Sequence, residues 1–163
     1  MSNVRLGDGH VLKLGDNALS RDLFPSDYHC LGDNENRPIK WLPVEAIAQK
    51  NYSRASDVVK YTCKRFSQNN SNQRNVKLIF QWSFGVFLWE LMTRAQQPFA
   101  DIDPFEMEGY ILEGYRLHQP MNCPDQLYSV LTSCWGMRAN QRAGVSSLHN
   151  HLGTLQKQLQ QFV

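Results

Sequence analysis

From Trp82 to Thr93 the chain runs Trp-Ser-Phe-Gly-Val-Phe-Leu-Trp-Glu-Leu-Met-Thr, with large apolar residues on every face of a helix. A helix that is apolar all round has to be buried. The run is also well short of the roughly 20 apolar residues that span a bilayer, so it predicts the central helix of a globular core. In front of it, Val4-Arg5-Leu6 and Val11-Leu12-Lys13-Leu14 flank Gly7-Asp8-Gly9, the pattern of a small β-hairpin with an Asp-Gly turn. Asp16 to Arg37 has no period: it is polar and mixed in charge, a loop of a length usually kept for function. Pro43 to Gln49 fits a short helix with proline in its first turn. Behind the central run, Asp103, Pro104 and Glu106 supply an N-cap, a first-position proline and an acid at the third position, predicting a helix to Leu112. Pro124 opens another, with Leu127, Val130, Leu131 and Cys134 at i, i+3, i+4 and i+7. Val145, Leu148, Leu152, Leu155, Leu159 and Phe162 mark a last amphipathic helix. The pattern is mainly α, with a hairpin and a long loop in front.

Val59 to Gln81 departs from it. Its middle, Ser67 to Gln73, is polar and low in complexity, with no core periodicity. The stretch carries Lys60, Lys64, Arg65, Arg74 and Lys77 and no acidic residue. The net charge of +2 comes from this stretch alone, so it argues for no nucleic-acid partner. Apolar content of 42% and charge of 20% over 163 residues are those of one globular domain. The four cysteines, Cys30, Cys63, Cys123 and Cys134, show no Cys-x-x-Cys spacing; this predicts free thiols in a reducing compartment rather than a zinc site. No leader is expected at the N-terminus, and the best membrane window is broken by Lys77, Gln81 and Glu90.

Three stretches carry a family resemblance. Arg37-Pro38-Ile39-Lys40-Trp41-Leu42-Pro43-Val44-Glu45 resembles the substrate-facing end of a protein tyrosine kinase activation segment. Ser56-Asp57-Val58, resumed at Trp82-Ser83-Phe84-Gly85, resembles the opening of the kinase F helix. Gly114-Tyr115-Arg116-Leu117, Pro120, Cys123-Pro124, Leu127-Tyr128, Cys134-Trp135 and Arg142 follow the tyrosine kinase C-lobe in order and spacing. Where most kinases carry Asp-Phe-Gly this chain has Asp16-Asn17-Ala18, followed by Tyr28-His29-Cys30-Leu31-Gly32-Asp33. In this it is similar to the Ryk/Derailed group of Wnt-binding, receptor tyrosine kinase-like proteins.

The resemblance implies a partial kinase domain over residues 1–163: the hairpin, the activation segment and helices F to I of a C-lobe, without the N-lobe, the catalytic loop or its base. Phosphoryl transfer is positioning plus electrostatics, with magnesium held by two side chains and an aspartate orienting the hydroxyl. By family register Asp16 and Asn3 would be the metal ligands, and there is no catalytic base to name. Pro38, Ile39, Lys40 and Trp41 would form the substrate platform, and Tyr28 is a candidate phosphosite set against a plain loop tyrosine. Glu45 with Arg142, and Asp57, Trp82, Gly85 and Trp135, would be structural. Asn17 replaces a core phenylalanine with an amide that must find partners, and Ala18 removes glycine's freedom at the hinge. Both changes favour a pseudokinase. No cofactor is expected for this chain; ATP and magnesium belong to the intact family domain.

The family runs Asp-Val-Trp without a break, whereas residues 59–81 intervene here. A polar insertion in a buried helix would strand backbone groups. Valine codons begin with GT, glutamine can be CAG, and the segment is a whole number of codons, so it reads as an unspliced intron or gene-model error. The alternative is a flexible basic arm. At the C-terminus, Gln161-Phe162-Val163 would offer a carboxylate to a PDZ-type groove, against the plain reading of a fraying helix end. The resulting expectation is a scaffold on the cytoplasmic side of the plasma membrane, part of a single-pass receptor and partnered by Wnt-pathway signalling proteins. The alternative is a fragment of an active receptor tyrosine kinase. A third reading is a chain that aggregates through an uncovered apolar face of the central helix.

Overall fold

Val4, Leu6, Leu12 and Leu14 alternate with polar partners, and the hairpin they predict is present. Strands β1 (Val4–Leu6) and β2 (Leu12–Leu14) pair antiparallel, with Val4 opposite Leu14 and Leu6 opposite Leu12. The structure, a computed structural model, describes residues 4–6, 12–14, 22–32, 34–48 and 70–160. Asn3, Asp16 and Asp57, the Asp-Gly turn, Phe162 and the C-terminal carboxylate lie outside the described residues. Through the long loop, Pro25–Asp27 makes one 3-10 turn, and an antiparallel bridge joins His29 to Arg37. A second 3-10 turn, Ile39–Trp41, leads into the short helix α1 (Val44–Ala48).

The central helix α2 spans Asn70–Met92 and so begins twelve residues earlier than the apolar run predicts. Residues 70–81, polar in their first half, continue the helix instead of looping out. No proline or glycine lies between Asn70 and Gly85, and lysine, arginine and glutamine are good helix formers, so a helix nucleated by the buried half extends backwards at little cost. Gln81, at the junction, is buried, and its Oε1 has no hydrogen-bond partner among the described residues.

Trp82, Val86, Leu88 and Trp89 of α2 are buried together with Ile39, Ile47, Met107, Ile111, Leu131 and Leu148. The expectation of burial on all sides holds only in part. Phe84 and Phe87 are half buried, and Leu91 is 46% exposed. The buried residues of α2 are those facing the other described helices. Of these, α3 (Met107–Leu112) packs on α1; α4 (Asp125–Ser133) packs on α2; and α5 (Val145–Gln160) packs on α4.

The Asp103 start signal works differently from the expectation. Its carboxylate accepts from the Phe105 amide at 2.8 Å and its carbonyl from the Glu106 amide at 2.9 Å, closing a turn ahead of α3. The apolar stripe of the last helix is only partly used. Leu148 is buried and Leu152 and Leu155 pack against the core, but Val145 and Leu159 are 57% and 62% exposed. At about 1.5 Å per residue, α5 is longer than the α4 it lies on, so its ends overhang.

Candidate functional site

The segment Arg37 to Leu42 turns its side chains inward. Ile39 is fully buried and joins the core. Lys40 is 4% exposed, and its ammonium donates to the carbonyl oxygens of Phe99 at 2.7 Å and Ala100 at 3.4 Å. Burial pushes the Lys40 ammonium below its ordinary value, while Asp101, Asp103 and Asp27 act in the opposite sense. The Asp27 carboxyl is pushed up by its own burial. Trp41 donates from Nε1 to the Glu90 carboxylate at 3.1 Å, and the Ser83 hydroxyl donates to the Trp41 carbonyl at 2.8 Å. The residues of the expected platform are thus used to anchor it. Glu90 and Ser83 of α2 and the carbonyls after α2 fix the chain path of Pro38 to Trp41.

The acceptor end of this anchor is strained. Phe99 has φ of 49°, a left-handed backbone that is an outlier for a bulky residue. Arg94 and Ala95, at φ of 57° and 67°, turn the chain out of α2 just before it. Such strain persists where neighbours over-determine it; here the Phe99 carbonyl is held by Lys40 while its ring meets the Tyr110 ring edge-on, at 6.0 Å and 81°.

Glu45 and Arg142 lie 97 residues apart in sequence and form a two-pronged pair, Nη1 to Oε1 at 2.5 Å and Nη2 to Oε2 at 2.8 Å. The Arg142 side chain is fully buried and that of Glu45 is 29% exposed. Arg142 also donates from Nε to the Gly136 carbonyl at 2.9 Å and stacks its guanidinium 5.2 Å from the centre of the Trp82 ring. On that ring Arg116 stands at 5.1 Å. Gly85, one turn on, has no room for a side chain: a Cβ there would lie 2.6 Å from Trp135 Nε1 and 2.7 Å from Cys134 Cβ. Tyr28 follows the Pro25–Asp27 turn and is half buried.

Of the residues singled out from the sequence, Ile39 and Trp41 are brought against α2 and Lys40 against the loop after it, and Glu45, Arg142, Trp82, Gly85 and Trp135 meet in one cluster. Glu90, Ser83, Arg116 and the Phe99 backbone had no role assigned from the sequence, although Ser83 and Arg116 stand in the stretches that carry the resemblance. Glu90 had a signal, as the one acid inside the apolar run; nothing in the sequence marks the Phe99 backbone.

A mainly helical fold with the Ile39–Trp41 turn clamped to a buried helix, and a glutamate–arginine pair behind it, fits a protein kinase C-lobe. The sequence profile of the family described as protein tyrosine and serine/threonine kinase matches residues 1–65 and 80–152. The chain belongs to that family. Within it the kinship is with the Ryk and Derailed proteins. The chain is 43% identical over 161 residues to tyrosine-protein kinase Dnt of Drosophila melanogaster, covering 99% of this chain and 24% of that protein. It is 47% identical over 140 residues to tyrosine-protein kinase RYK of Mus musculus, covering 86% of this chain and 20% of that one. To the inactive tyrosine-protein kinase RYK of Caenorhabditis elegans it is 46% identical over 152 residues, covering 93% and 22%. The chain spans between a fifth and a quarter of the length of these relatives.

Proposed function

We propose that this chain is the C-terminal lobe of the kinase-like domain of a Ryk/Derailed-type Wnt receptor, and that it acts as a pseudokinase scaffold through protein contacts. The observation that carries the reading is Asp16-Asn17-Ala18 in the place of Asp-Phe-Gly. An amide in place of the packing phenylalanine cannot seat itself in an apolar core without hydrogen-bond partners, and it sits beside the carboxylate that must hold the metal. One relative carries the word inactive in its name. The inward-turned Lys40 and Trp41 support a contact surface set in one shape.

By family register Asp16 and Asn3, one carboxylate and one amide, would be the residues that hold magnesium; two such ligands without phosphate partners would hold it weakly. Among the described residues no group of three histidine, cysteine, aspartate or glutamate side chains could hold a metal ion. The roles of Asp16 and Asn3 as ligands, of Tyr28 as a phosphosite and of the C-terminus toward a PDZ-type groove are parts of the proposal. So are the Wnt-pathway partners and a position on the cytoplasmic side of a single-pass receptor. Among the described residues no helix is long and apolar enough to cross a membrane.

A second reading, a fragment of an active receptor tyrosine kinase, is favoured by the platform and the Glu45–Arg142 pair, both of which an active domain would need. The deciding experiment uses the complete kinase-like domain from spliced transcript. Thermal shift with ATP and magnesium, and transfer of labelled phosphate to tyrosine peptides, are expected to give no change and no product. Transfer that disappears on replacing the residue corresponding to Asp16 with asparagine would establish the second reading.

A further inference from the structure

Helix α3 has two unlike sides. Met107 and Ile111 are fully buried in the core. On the other side stand Glu106 at the N-terminal end, Gly109 one turn on, and Leu112 and Glu113 at the C-terminal end, the spacing of one helix face. Phe105 immediately precedes them. Each of these residues is exposed, Phe105 by 71% and Leu112 by 56%. Single exposed apolar residues are ordinary on a protein surface. Here two large ones border one face, and the position between them carries no side chain. A Cβ on Gly109 would meet nothing within 4 Å, whereas at Gly85 the neighbours leave no room for one. Glycine costs a helix about 1 kcal/mol relative to alanine, and no packing among the described residues requires it at Gly109. What it leaves is an apolar ledge that another chain can approach closely.

The charge around the ledge has one sign. Between Arg94 and Arg116 the sequence holds Asp101, Asp103, Glu106, Glu108 and Glu113 and no basic residue. Lys40 acts on Asp101 and Asp103, but from the buried side. Glu106 and Glu113 make no ion pair among the described residues. Carboxylates around an apolar face repel nucleic acid and anionic lipid and attract a basic chain. An amphipathic segment with lysine or arginine beside its apolar stripe matches both features.

We propose that this face of α3 docks a basic amphipathic segment of a partner protein. Its apolar side chains lie on the ledge between Phe105 and Leu112, and its cations lie toward Glu106 and Glu113. The proposal rests on the reading of the chain as a scaffold working through protein contacts, and names the chemistry of one partner.

The test titrates the full chain with a fluorescent amphipathic peptide of leucine, lysine and alanine, read by anisotropy. Two controls carry glutamate for lysine and serine for leucine. The leucine–lysine peptide is expected to bind about tenfold more tightly than either control, and less tightly as salt is raised. Leu112→Ser and Glu113→Lys should each weaken it about tenfold. Gly109→Gln fills the ledge with a residue that suits a helix better than glycine. It should weaken binding by a similar factor at an unchanged or higher melting temperature. No binding at millimolar peptide, equal binding of the serine control, or unchanged affinity in Gly109→Gln would each overturn the surface. Binding that appears only after deletion of residues 59–81 would give the face to the chain's own basic stretch. Self-association lost in Leu112→Ser would give it to a second copy, and either result overturns the proposal. Phosphate transfer is not measured here, so failure removes this surface alone, and the scaffold reading stands or falls on the nucleotide and transfer measurements.

Discussion

Gly85 is the residue at which sequence and packing constrain each other most tightly. The helix needs no glycine at this point, and glycine costs about 1 kcal/mol there relative to alanine. It is present because Cys134 and Trp135 approach to within 2.7 Å of where a Cβ would stand. Gly85→Ala is therefore expected to lower stability by about 1–3 kcal/mol, the usual penalty of overpacking, seen as a lower denaturation midpoint at unchanged slope. An unchanged or higher midpoint would mean that the contact relaxes freely. Cys134, on the far side of that contact, is fully buried and donates to the Val130 carbonyl at 3.4 Å. Burial raises its thiol from 9.0 to about 11. The folded protein holds the proton where the unfolded chain has lost it, so this stability is complete below pH 9 and is lost as pH rises toward 11. The slope approaches about 1.4 kcal/mol per pH unit. Lys40, lowered by burial, contributes with the opposite sign, so the measurement is a difference: Cys134→Ser should flatten the alkaline fall relative to the parent chain. Parallel curves would remove Cys134 from the account. The glycine was legible in the sequence only through resemblance; its physical reason, two atoms of α4's C-terminal end pressing on α2, required three dimensions.

At the scale of elements, the Glu45–Arg142 pair joins α1 to the segment that leads into α5. Glu45→Gln removes the carboxylate that faces the buried Arg142 guanidinium. The expected cost is about 3–5 kcal/mol, nearer the lower figure because Glu45 is 29% exposed, and it can be read from urea melts. A double-mutant cycle with Arg142→Met should recover much of the loss; additive losses would show that the two side chains do not couple. Most elements were legible in the hydrophobic pattern, since burial on one face imposes a period that Leu127, Val130, Leu131 and Cys134 display plainly. Boundaries were not. Asp103 carries every mark of a helix N-cap yet closes a turn, because local hydrogen bonds satisfy it before the helix begins. The first six added residues of α2, Asn70 to Asn75, hold no apolar residue to announce them.

For the whole molecule, the family profile skips residues 66–79, inside the 59–81 stretch singled out from the sequence. Gln81, at its downstream edge, buries an acceptor without a partner among the described residues. We propose that residues 59–81 are absent from the mature protein. Sequencing of the transcript should show Val58 codons joined directly to Trp82 codons; transcripts retaining the segment as the majority form would contradict this. The pattern of the sequence marked the insertion by its composition. It could not mark the inward-facing platform, because Lys40 reads as a surface residue until the Phe99 carbonyl, 59 residues away, is brought to it.

The Lys40 anchor has a dynamic consequence. The Ile39–Trp41 turn and the Phe99–Ile102 loop share one buried ammonium, so neither can leave its place without stranding the other's charge or carbonyls. Amide protons around Ile39 and Trp41 should then exchange with solvent in step with those of Phe99 to Ile102, as one opening unit. Anything that steadies the Phe99–Ile102 loop would also slow the breathing of the Ile39–Trp41 turn, although the two are separate parts of the sequence.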